Sequence, residues 1–455
     1  MLEGPLVPKI IAFSVPLMIS NLLQVLYSAA DMIVVAQSGV EGAVGAIGTT
    51  GTPINLIINI FIGFSIGVNV LVARYLGRGY KSRVSSAVHT SLLAGFLFGL
   101  IGGAVGYLFS PAIMAALGDE GAVLDMAVRY CRIRFLGIPF LALTNFQIAV
   151  FRSKGNSTTP LAVLTASGIL NVLLNLLLVL VFGMDVDGVA WATVASNVFS
   201  AGLLMYLLSQ DEGPCRFSFA QLRMNWHVLG EILKIGVPAG LQAALYTISN
   251  MLIMSSILAV NNRLCPGGSA IIDGHSAASS IGSFVTTCGD ALVLSYVSFT
   301  SQHCGARKYE RLGKFIGTAY LCAAVFSLVA SALILLVRDP LLSLYISDPM
   351  AFEAAHIRMN IMVTTYVFCT GMNCGAQILR GMGKSATSAM ITLVCTCLLR
   401  VVWIYTVFAH YQTLESIYLS YPLSWLLAAI VQGIGVALCY KAMVQKAAQP
   451  VIADT

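Results

Sequence analysis

The stretch IIAFSVPL at residues 10–17 returns as ILKIGVPA at residues 232–239, which places Pro16 and Pro238 at an offset of 222. Two further pairs match at an offset of 228: LGRGYKSR (76–83) with CGARKYER (304–311), and FRSKGNS (151–157) with LRGMGKS (379–385). Similarity at nearly constant offsets along both halves of a chain is the signature of an internal repeat. The sequence therefore predicts two homologous halves.

The composition assigns both halves to a membrane. Of the 455 residues, 58% are hydrophobic and only 10% are charged, which leaves too little polar surface for a soluble globule. Apolar segments of about 20 residues or more span a bilayer as helices, whereas barrel strands are about half as long. Twelve such segments are predicted, at 10–36, 53–75, 86–110, 126–150, 160–182, 188–209, 231–259, 275–302, 314–337, 356–379, 388–409 and 415–440.

The expected fold is an all-α polytopic membrane protein whose twelve transmembrane helices form two pseudo-symmetric six-helix bundles. The expected divisions are an N-terminal lobe, a cytoplasmic linker, a C-terminal lobe and a cytoplasmic tail, at 1–209, 210–230, 231–440 and 441–455. Since each half has an even number of helices, both halves insert the same way up and enclose a cavity between them. GxxxG spacings such as Gly63 to Gly67 allow close helix contact.

Basic residues set the expected orientation. Most of the 25 Lys and Arg residues fall in alternate connectors, and such residues prefer the cytoplasmic side. Both termini are therefore predicted to be cytoplasmic, in a bacterial inner membrane. The net charge of +6 follows from this topology, so membrane lipid and a small organic molecule are the expected partners, with no nucleic acid and a monomeric state. Neither a Walker loop nor HExxH occurs, so neither an enzyme nor a cofactor is expected.

Helix 1 carries a polar stripe that ends on a carboxylate. Steps of three, four and three positions put its members on one face: Asn21, Gln24, Ser28 and Asp31. An ionisable side chain at the bilayer centre costs ~2.5–3.5 kcal/mol, so this carboxylate requires a reason. We interpret the stripe as an ion- or proton-responsive face lining the cavity. The structural alternative is a hydrogen-bonded seam between helices.

Helix 5 offers two amides on one face, because Asn171 and Asn175 are spaced i, i+4. Carboxylate and amide oxygens are the ligands that hard cations require. One carboxylate, Asp31, together with these amides could therefore hold a sodium ion or a proton. In the alternative, the amides bond to each other or to neighbouring helices.

The second half has a different polar pattern. Asp290 and Arg400 both lie about 20 Å from the cytoplasmic ends of their helices, so an ion pair between them is predicted. A packing role is the alternative. Polar faces on helices 7 and 10 complete the predicted substrate cavity, whose full set is Asn21, Gln24, Tyr27, Ser28, Gln242, Tyr246, Asn250, Asp290, Tyr366, Asn373, Gln377 and Arg400.

Several stretches together resemble the multidrug and toxic compound extrusion (MATE) family across nearly the whole chain. They include VPLMISNLLQVLYSAADMIVV, GFSIGVNVLVARYLGRG, ILNVLLNLLLV and DGVAWATVAS. The resemblance implies two six-helix lobes forming a V and export of amphiphilic, often cationic compounds in exchange for sodium ions or protons. It also implies that Asp31 and Asn171 form a coupling site, with a sodium ion expected at these two residues. The full expected coupling set is Asp31, Asn171, Asn175 and Thr193.

Two other functions remain open. The same superfamily contains flippases for lipid-linked oligosaccharides, which are expected to show a strongly charged cavity. From a different class, the protein could be a membrane receptor that does not transport. Absence of gradient-driven flux in liposomes would favour the receptor.

The charge pattern generates a topology prediction. A tag placed in the 307–314 connector should be accessible only from the cytoplasmic side, because this connector contains Arg307, Lys308, Arg311 and Lys314. Sidedness labelling of intact cells checks it, with a tag near residue 345 as the periplasmic control. External labelling at 307–314 would contradict the orientation.

Overall fold

A computed structural model describes residues 1–37, 43–116 and 121–448, apart from the side chains of residues 36, 44, 52 and 122. The end of the expected tail, 449–455, lies outside the described residues. Within the described residues, twelve long helices follow one another: α1 Leu6–Gln37, α2 Ala43–Arg78, α3 Lys81–Ala116, α4 Gly121–Leu136 with Ile138–Ser153, α5 Thr158–Asn175 with Leu176–Val181, α6 Val186–Ser209, α7 Trp226–Leu264, α8 Ala270–Gly305, α9 Tyr309–Leu336, α10 Pro349–Met362 with Tyr366–Gly381, α11 Ser385–Tyr411, and α12 Leu414–Tyr418 with Ser420–Ala448. A short helix, Arg338–Ser343, lies between α9 and α10.

Every predicted apolar segment coincides with one of these helices. Within the described residues, ten helices are long and apolar enough to cross a membrane, and α4, bent by 46° after Leu136, makes an eleventh. The twelfth, α10, does not meet the same test, because its two segments are only 14 and 16 residues long. The twelve-helix fold is confirmed.

The helices are longer than predicted, and some of the extra turns carry charged side chains such as Lys81, Arg83 and Arg263. Helix α3 begins at Lys81 rather than residue 86, and α7 runs from Trp226 to Leu264 rather than over 231–259. A hydropathy pattern detects only the part of a helix within the hydrocarbon, about 30 Å thick. Charged turns at the ends continue the helix into the headgroup layer, where hydropathy cannot detect them.

Backbone geometry repeats between the two halves at the offset of 228. Gly155 and Gly383, which follow α4 and α10, have φ of +87° and +82°. Gly79 and Arg307, after α2 and α8, have φ of +74° and +55°, although a side chain is disfavoured there. The π-helical turn Leu176–Val181 of α5 also recurs, as Ile404–Phe408 in α11. The predicted repeat is therefore present in the backbone.

Contacts between Cα atoms divide the chain into two compact units. One contains residues 15–240, and the other contains residues 1–14 and 241–455. Helices α1 and α7 are each divided within two residues of the repeated prolines, Pro16 and Pro238. Below, the unit of residues 15–240 is called the N-lobe, and the unit of residues 1–14 and 241–455 is called the C-lobe.

The connector between α6 and α7 is docked on the N-lobe. Cys215 and Phe217 are buried in the lobe's hydrophobic core, and Phe217 stacks on His89 of α3. The backbone N–H of Ser218 donates to His89 Nε2 at 3.0 Å. Burial raises the pKa of the Cys215 thiol to about 12, so this thiol stays protonated at neutral pH. The connector is therefore part of the folded lobe.

Close packing inside the N-lobe depends on two facing glycine pairs. A Cβ placed on Gly63 would lie 2.3 Å from Gly240 Cα, and one on Gly67 would lie 2.3 Å from the carbonyl oxygen of Ile232. On the facing helix, a Cβ on Gly236 would lie 2.8 Å from Phe64 Cα. Helices α2 and α7 thus meet backbone to backbone, as the GxxxG spacing predicts.

Substitution of Gly63 by Ala should lower the thermal stability of the purified protein. The added methyl must push two backbones apart, a strain of about 1–3 kcal/mol, which exceeds the gain in helix propensity of about 1 kcal/mol. Gly202→Ala in α6 is the matched control, since a Cβ there meets nothing within 4 Å. Equal melting temperatures for the two variants in detergent would contradict the packing argument.

Candidate functional site

A chain of hydrogen bonds in the N-lobe connects three helices. Asn175 of α5 donates through Nδ2 to Asp31 Oδ1 of α1 and, at 3.3 Å, to Asn171 Oδ1. Asn171 Nδ2 donates to Thr193 Oγ1 of α6 at 3.5 Å, and Thr193 Oγ1 donates to the Val189 carbonyl at 3.0 Å. The structure therefore brings together all four residues of the expected coupling set.

This cluster has oxygen atoms to offer a cation. The Asn175 carbonyl oxygen Oδ1 is buried and has no hydrogen-bond partner. Asp31 is half-buried and has only one of its two oxygens bonded, whereas Asn171 and Asn175 are buried. A carboxylate beside an unpaired amide oxygen suits a hard cation, and the carboxylate alone suits a proton. Within the described residues, no group of three His, Cys, Asp or Glu side chains could hold a metal ion.

The local backbone explains why Asn175 can reach α1. Asn175 is the last residue of the α-helical part of α5 and directly precedes the π-helical turn Leu176–Val181. A π-helical turn widens the helix and changes the direction of side chains, and such turns are frequent at functional sites. The sequence predicted that Asn171 and Asn175 share a face, but it held no signal for the π-helical turn.

The remaining predicted residues of α1 make few contacts with other helices. Gln24 and Ser28 are exposed, and Ser28 Oγ donates to the Gln24 carbonyl of its own helix at 3.1 Å. Asn21 is half-buried. Tyr27 packs on Gly168 of α5 and donates from its hydroxyl to the Thr165 carbonyl at 3.3 Å. On this face, Gln24 and Ser28 are therefore exposed, whereas Tyr27 and Asp31 contact α5.

In the C-lobe, Arg400 is completely buried and is surrounded by neutral groups. Its Nη1 donates to Asn250 Oδ1 of α7 at 3.0 Å, and its Nε donates to Ser424 Oγ of α12 at 3.1 Å. The guanidinium carbon lies 5.2 Å from the ring centroid of Tyr246 and 4.1 Å from that of Tyr421. Cation–π contacts and hydrogen bonds thus replace a carboxylate as the partners of this charge.

The predicted ion pair between Asp290 and Arg400 is wrong. Asp290 is exposed and accepts a hydrogen bond from Asn373 Nδ2 at 2.9 Å, and neither charge takes part in an ion pair within the described part of the chain. Equal depth in the membrane was the basis of the prediction. Depth does not fix the direction in which a side chain leaves its helix, so it could not establish contact.

Sequence reasoning missed Arg380, which it had assigned to a connector. Arg380 is 7% exposed and donates to Gln242 Oε1 at 2.8 Å and to Gln377 Oε1 at 3.1 Å. Gln242 Nε2 in turn donates to Thr392 Oγ1 at 2.9 Å. The signal was available, because Arg380 continues the polar face of Asn373 and Gln377 by three further positions.

Tyr366 lies in the core rather than in a cavity. It is 3% exposed, its ring centroid is 5.9 Å from that of Trp425, and its hydroxyl occupies the space that a Cβ of Gly282 would need. Tyr366 therefore points between α8 and α12. Its predicted place in the substrate cavity is corrected accordingly.

The family model described as MatE matches residues 16–177 and 238–406, so it covers parts of both lobes, including Asp31, Asn171, Asn175 and Arg400. The chain belongs to the MatE family. The MatE fold therefore contains the two homologous halves that the internal repeat predicted, and the resemblance drawn from the sequence motifs is confirmed. A second model, described as lipid II flippase MurJ, matches the shorter range 108–252.

Relatives and solved structures agree with this membership. The probable multidrug resistance protein YoeA of Bacillus subtilis is 26% identical over 90% of this chain and 89% of its own. A FAD transporter of Shewanella oneidensis is 24% identical over 100% of this chain and 98% of its own. The outward-facing structure of a multidrug resistance MATE family transporter of the MOP superfamily is 21% identical, covers 98% of each chain and has a TM-score of 0.89, which shows the shared fold.

Because Asp290 and Arg400 do not touch, their contributions to stability should be independent. The losses in melting temperature caused by Asp290→Asn and Arg400→Gln should add in the double variant, with a coupling energy below about 0.5 kcal/mol. Thermal unfolding of the four proteins in one detergent measures this. A double variant more stable than Arg400→Gln alone would show that the two charges interact.

Proposed function

We propose that this MatE family member is a secondary active antiporter that exports amphiphilic, cationic organic molecules in exchange for sodium ions or protons. The hydrogen-bonded cluster of Asp31, Asn171, Asn175 and Thr193 is the observation that carries the proposal. Its four side chains place a carboxylate and an unpaired amide oxygen between α1, α5 and α6. No cofactor is needed, since the transported ion supplies the free energy.

Coupling would act through the charge of Asp31. A sodium ion or proton arriving from outside neutralises the carboxylate and weakens its hold on Asn175, which frees α1 to move relative to α5 and α6. Pro16 removes a backbone hydrogen bond within α1, so this helix bends at low cost. A membrane potential of 100 mV supplies ~2.3 kcal/mol per charge moved, enough for roughly a fifty-fold gradient.

The C-lobe offers a site for a cationic substrate. Asp290 is exposed, and only its Oδ1 accepts a hydrogen bond, so the second carboxylate oxygen is free to receive an ammonium group. Gln242, Tyr246 and Asn250 of α7 are half-buried and would line the path beside it. The names of relatives such as the multidrug resistance protein YoeA support small organic substrates.

Two comparisons support a second candidate. The lipid II flippase MurJ model matches residues 108–252, and the FAD transporter matches the whole chain, so a phosphorylated substrate is the alternative. Within the described C-lobe, Arg358, Arg380 and Arg400 are all buried, which is more central positive charge than the sequence reasoning had credited. Competition of a lipid-linked pyrophosphate with soluble drugs for flux would favour the flippase.

The expected setting completes the proposal: a monomer in the bacterial cytoplasmic membrane, with both termini in the cytoplasm. The multi-pass helices and bacterial relatives support the membrane assignment. The basic connectors support the orientation.

Asp31→Asn should bind substrate but lose gradient-driven transport. The amide has the shape of the protonated acid and cannot change charge, so the ion no longer alters the bond to Asn175. We expect at least a tenfold loss of flux, measured in proteoliposomes under an imposed sodium gradient and, separately, an imposed proton gradient.

Asp125→Asn is the matched control, since it makes the same chemical change at an exposed position of α4 in the same lobe. This control should transport as the wild type does. Wild-type flux from Asp31→Asn under both gradients would refute the coupling role. If the wild type transports under only one of the two gradients, that gradient identifies the coupling ion.

A further inference from the structure

The interior of the C-lobe carries an excess of positive charge. Three arginines there are at most 7% exposed: Arg358, Arg380 and Arg400. Their hydrogen-bond acceptors are neutral, namely a serine hydroxyl for Arg358, two glutamine carbonyls for Arg380, and a serine hydroxyl and an asparagine carbonyl for Arg400. Since Asp290 bonds to Asn373 instead, no carboxylate in the described C-lobe neutralises any of them.

Each of these guanidinium groups also has a nitrogen without an acceptor. The buried, unpaired atoms are Nε of Arg358, Nε of Arg380 and Nη2 of Arg400. An unsatisfied buried donor on a charged group is costly, and a buried charge without a counter-ion is more so. An anion arriving from outside the protein would satisfy both requirements at once.

Among the three, Arg400 is the arginine whose surroundings are built to hold an organic acid. It occupies a single α-helical turn, Leu399–Trp403, between two π-helical segments of α11. Asn250 and Ser424 fix two edges of the guanidinium and leave Nη2, the atom at its end, unpaired. A guanidinium held in this way, with Nη2 unpaired, has a charged donor to offer a carboxylate or phosphate oxygen.

The flanking rings add a place for an aromatic body. Tyr421 and Tyr246 each contact the guanidinium, and Trp425 Nε1 donates to the Tyr246 hydroxyl at 3.4 Å. Tyr421 is 9% exposed, whereas Tyr246 and Asn250 are half-buried. Because Arg400 is completely buried, access to Nη2 from the half-buried side requires the Tyr246 ring to turn aside. An aromatic substrate can then stack where that ring was.

We propose that Arg400 binds the acidic group, a carboxylate or a phosphate, of an aromatic substrate. The proposal rests on the function proposed above and extends it, because a substrate that also places an amine at Asp290 is zwitterionic. The two opposite charges of the lobe are held by Asn373 and by Asn250 with Ser424, and each keeps one polar atom unpaired, a carboxylate oxygen of Asp290 and Nη2 of Arg400.

The test measures equilibrium binding to purified protein in detergent, where no gradient exists, so it does not depend on ion coupling. Two pairs of fluorescent probes each differ in one acidic group. A zwitterionic rhodamine free acid is compared with its cationic methyl ester, and riboflavin monophosphate is compared with riboflavin. In the wild type, at least one acid should bind about tenfold or more tightly than its partner, as expected of a charge-assisted hydrogen bond.

Arg400→Gln should abolish that difference in affinity. It should change the affinity for the probe that lacks the acidic group, the rhodamine methyl ester or riboflavin, by less than twofold. Arg400→Lys, which keeps the charge but not the planar fork, should retain an intermediate preference. Preference for the rhodamine acid alone identifies a carboxylate site, and preference for the flavin phosphate alone identifies a phosphate site.

Three results would overturn the proposal: no preference for either acid in the wild type, an unchanged preference in Arg400→Gln, or an equal loss of acid and partner in that variant. Arg358→Gln removes another buried arginine of the same lobe and should keep the preference. The wild type could bind the acid preferentially in detergent and yet show no gradient-driven flux in proteoliposomes. That result would refute antiport but would not contradict the acid-binding site.

Discussion

A charge within a bilayer must find its partners in the protein, because lipid offers none. This chain meets that constraint with neutral partners in both lobes. In the N-lobe, Asp31 is held by the amide of Asn175, and in the C-lobe, Arg400 is held by an amide, a hydroxyl and two tyrosine rings. Each charge is stabilised in place without being neutralised, and the chemistry of the protein depends on that distinction.

The two lobes share a backbone but differ in chemistry. At the offset of 228, Asn171 and Asn175 of α5 correspond to Leu399 and Trp403 of α11, so the amides have no counterpart in the C-lobe. The π-helical turn that follows is nevertheless common to both helices. The repeated backbone therefore forms a π-helical turn in each lobe. The charged side chain near this turn is the carboxylate of Asp31 in the N-lobe and the guanidinium of Arg400 in the C-lobe.

Helical periodicity explains which parts of the molecule the sequence could predict. Asn171 and Asn175 lie on one rigid helix, so a spacing of four residues was enough to bring them together, and the positions of all twelve helices followed from apolar length. The predicted contact between Asp290 and Arg400 was wrong because these residues lie on two different helices. Residue spacing within a helix does not determine how that helix is rotated about its axis relative to another. Arg380 was missed for the opposite reason. Its spacing from Asn373 and Gln377 placed it on their polar helix face, but its position near the end of the helix led to its assignment to a connector. The π-helical turns carry no pattern that a single sequence displays.

The absent ion pair also changes what the C-lobe can bind. If Asp290 and Arg400 had formed an ion pair, their charges would have neutralised each other, and this part of the lobe would carry no net charge. Held separately by Asn373 and by Asn250 with Ser424, they remain one exposed negative charge and one buried positive charge. Hydrogen bonds to neutral partners offset part of the desolvation cost of each charge. They leave the formal charge itself in place, and only a group of opposite sign can balance it. The selectivity for charged organic molecules proposed above rests on this separation.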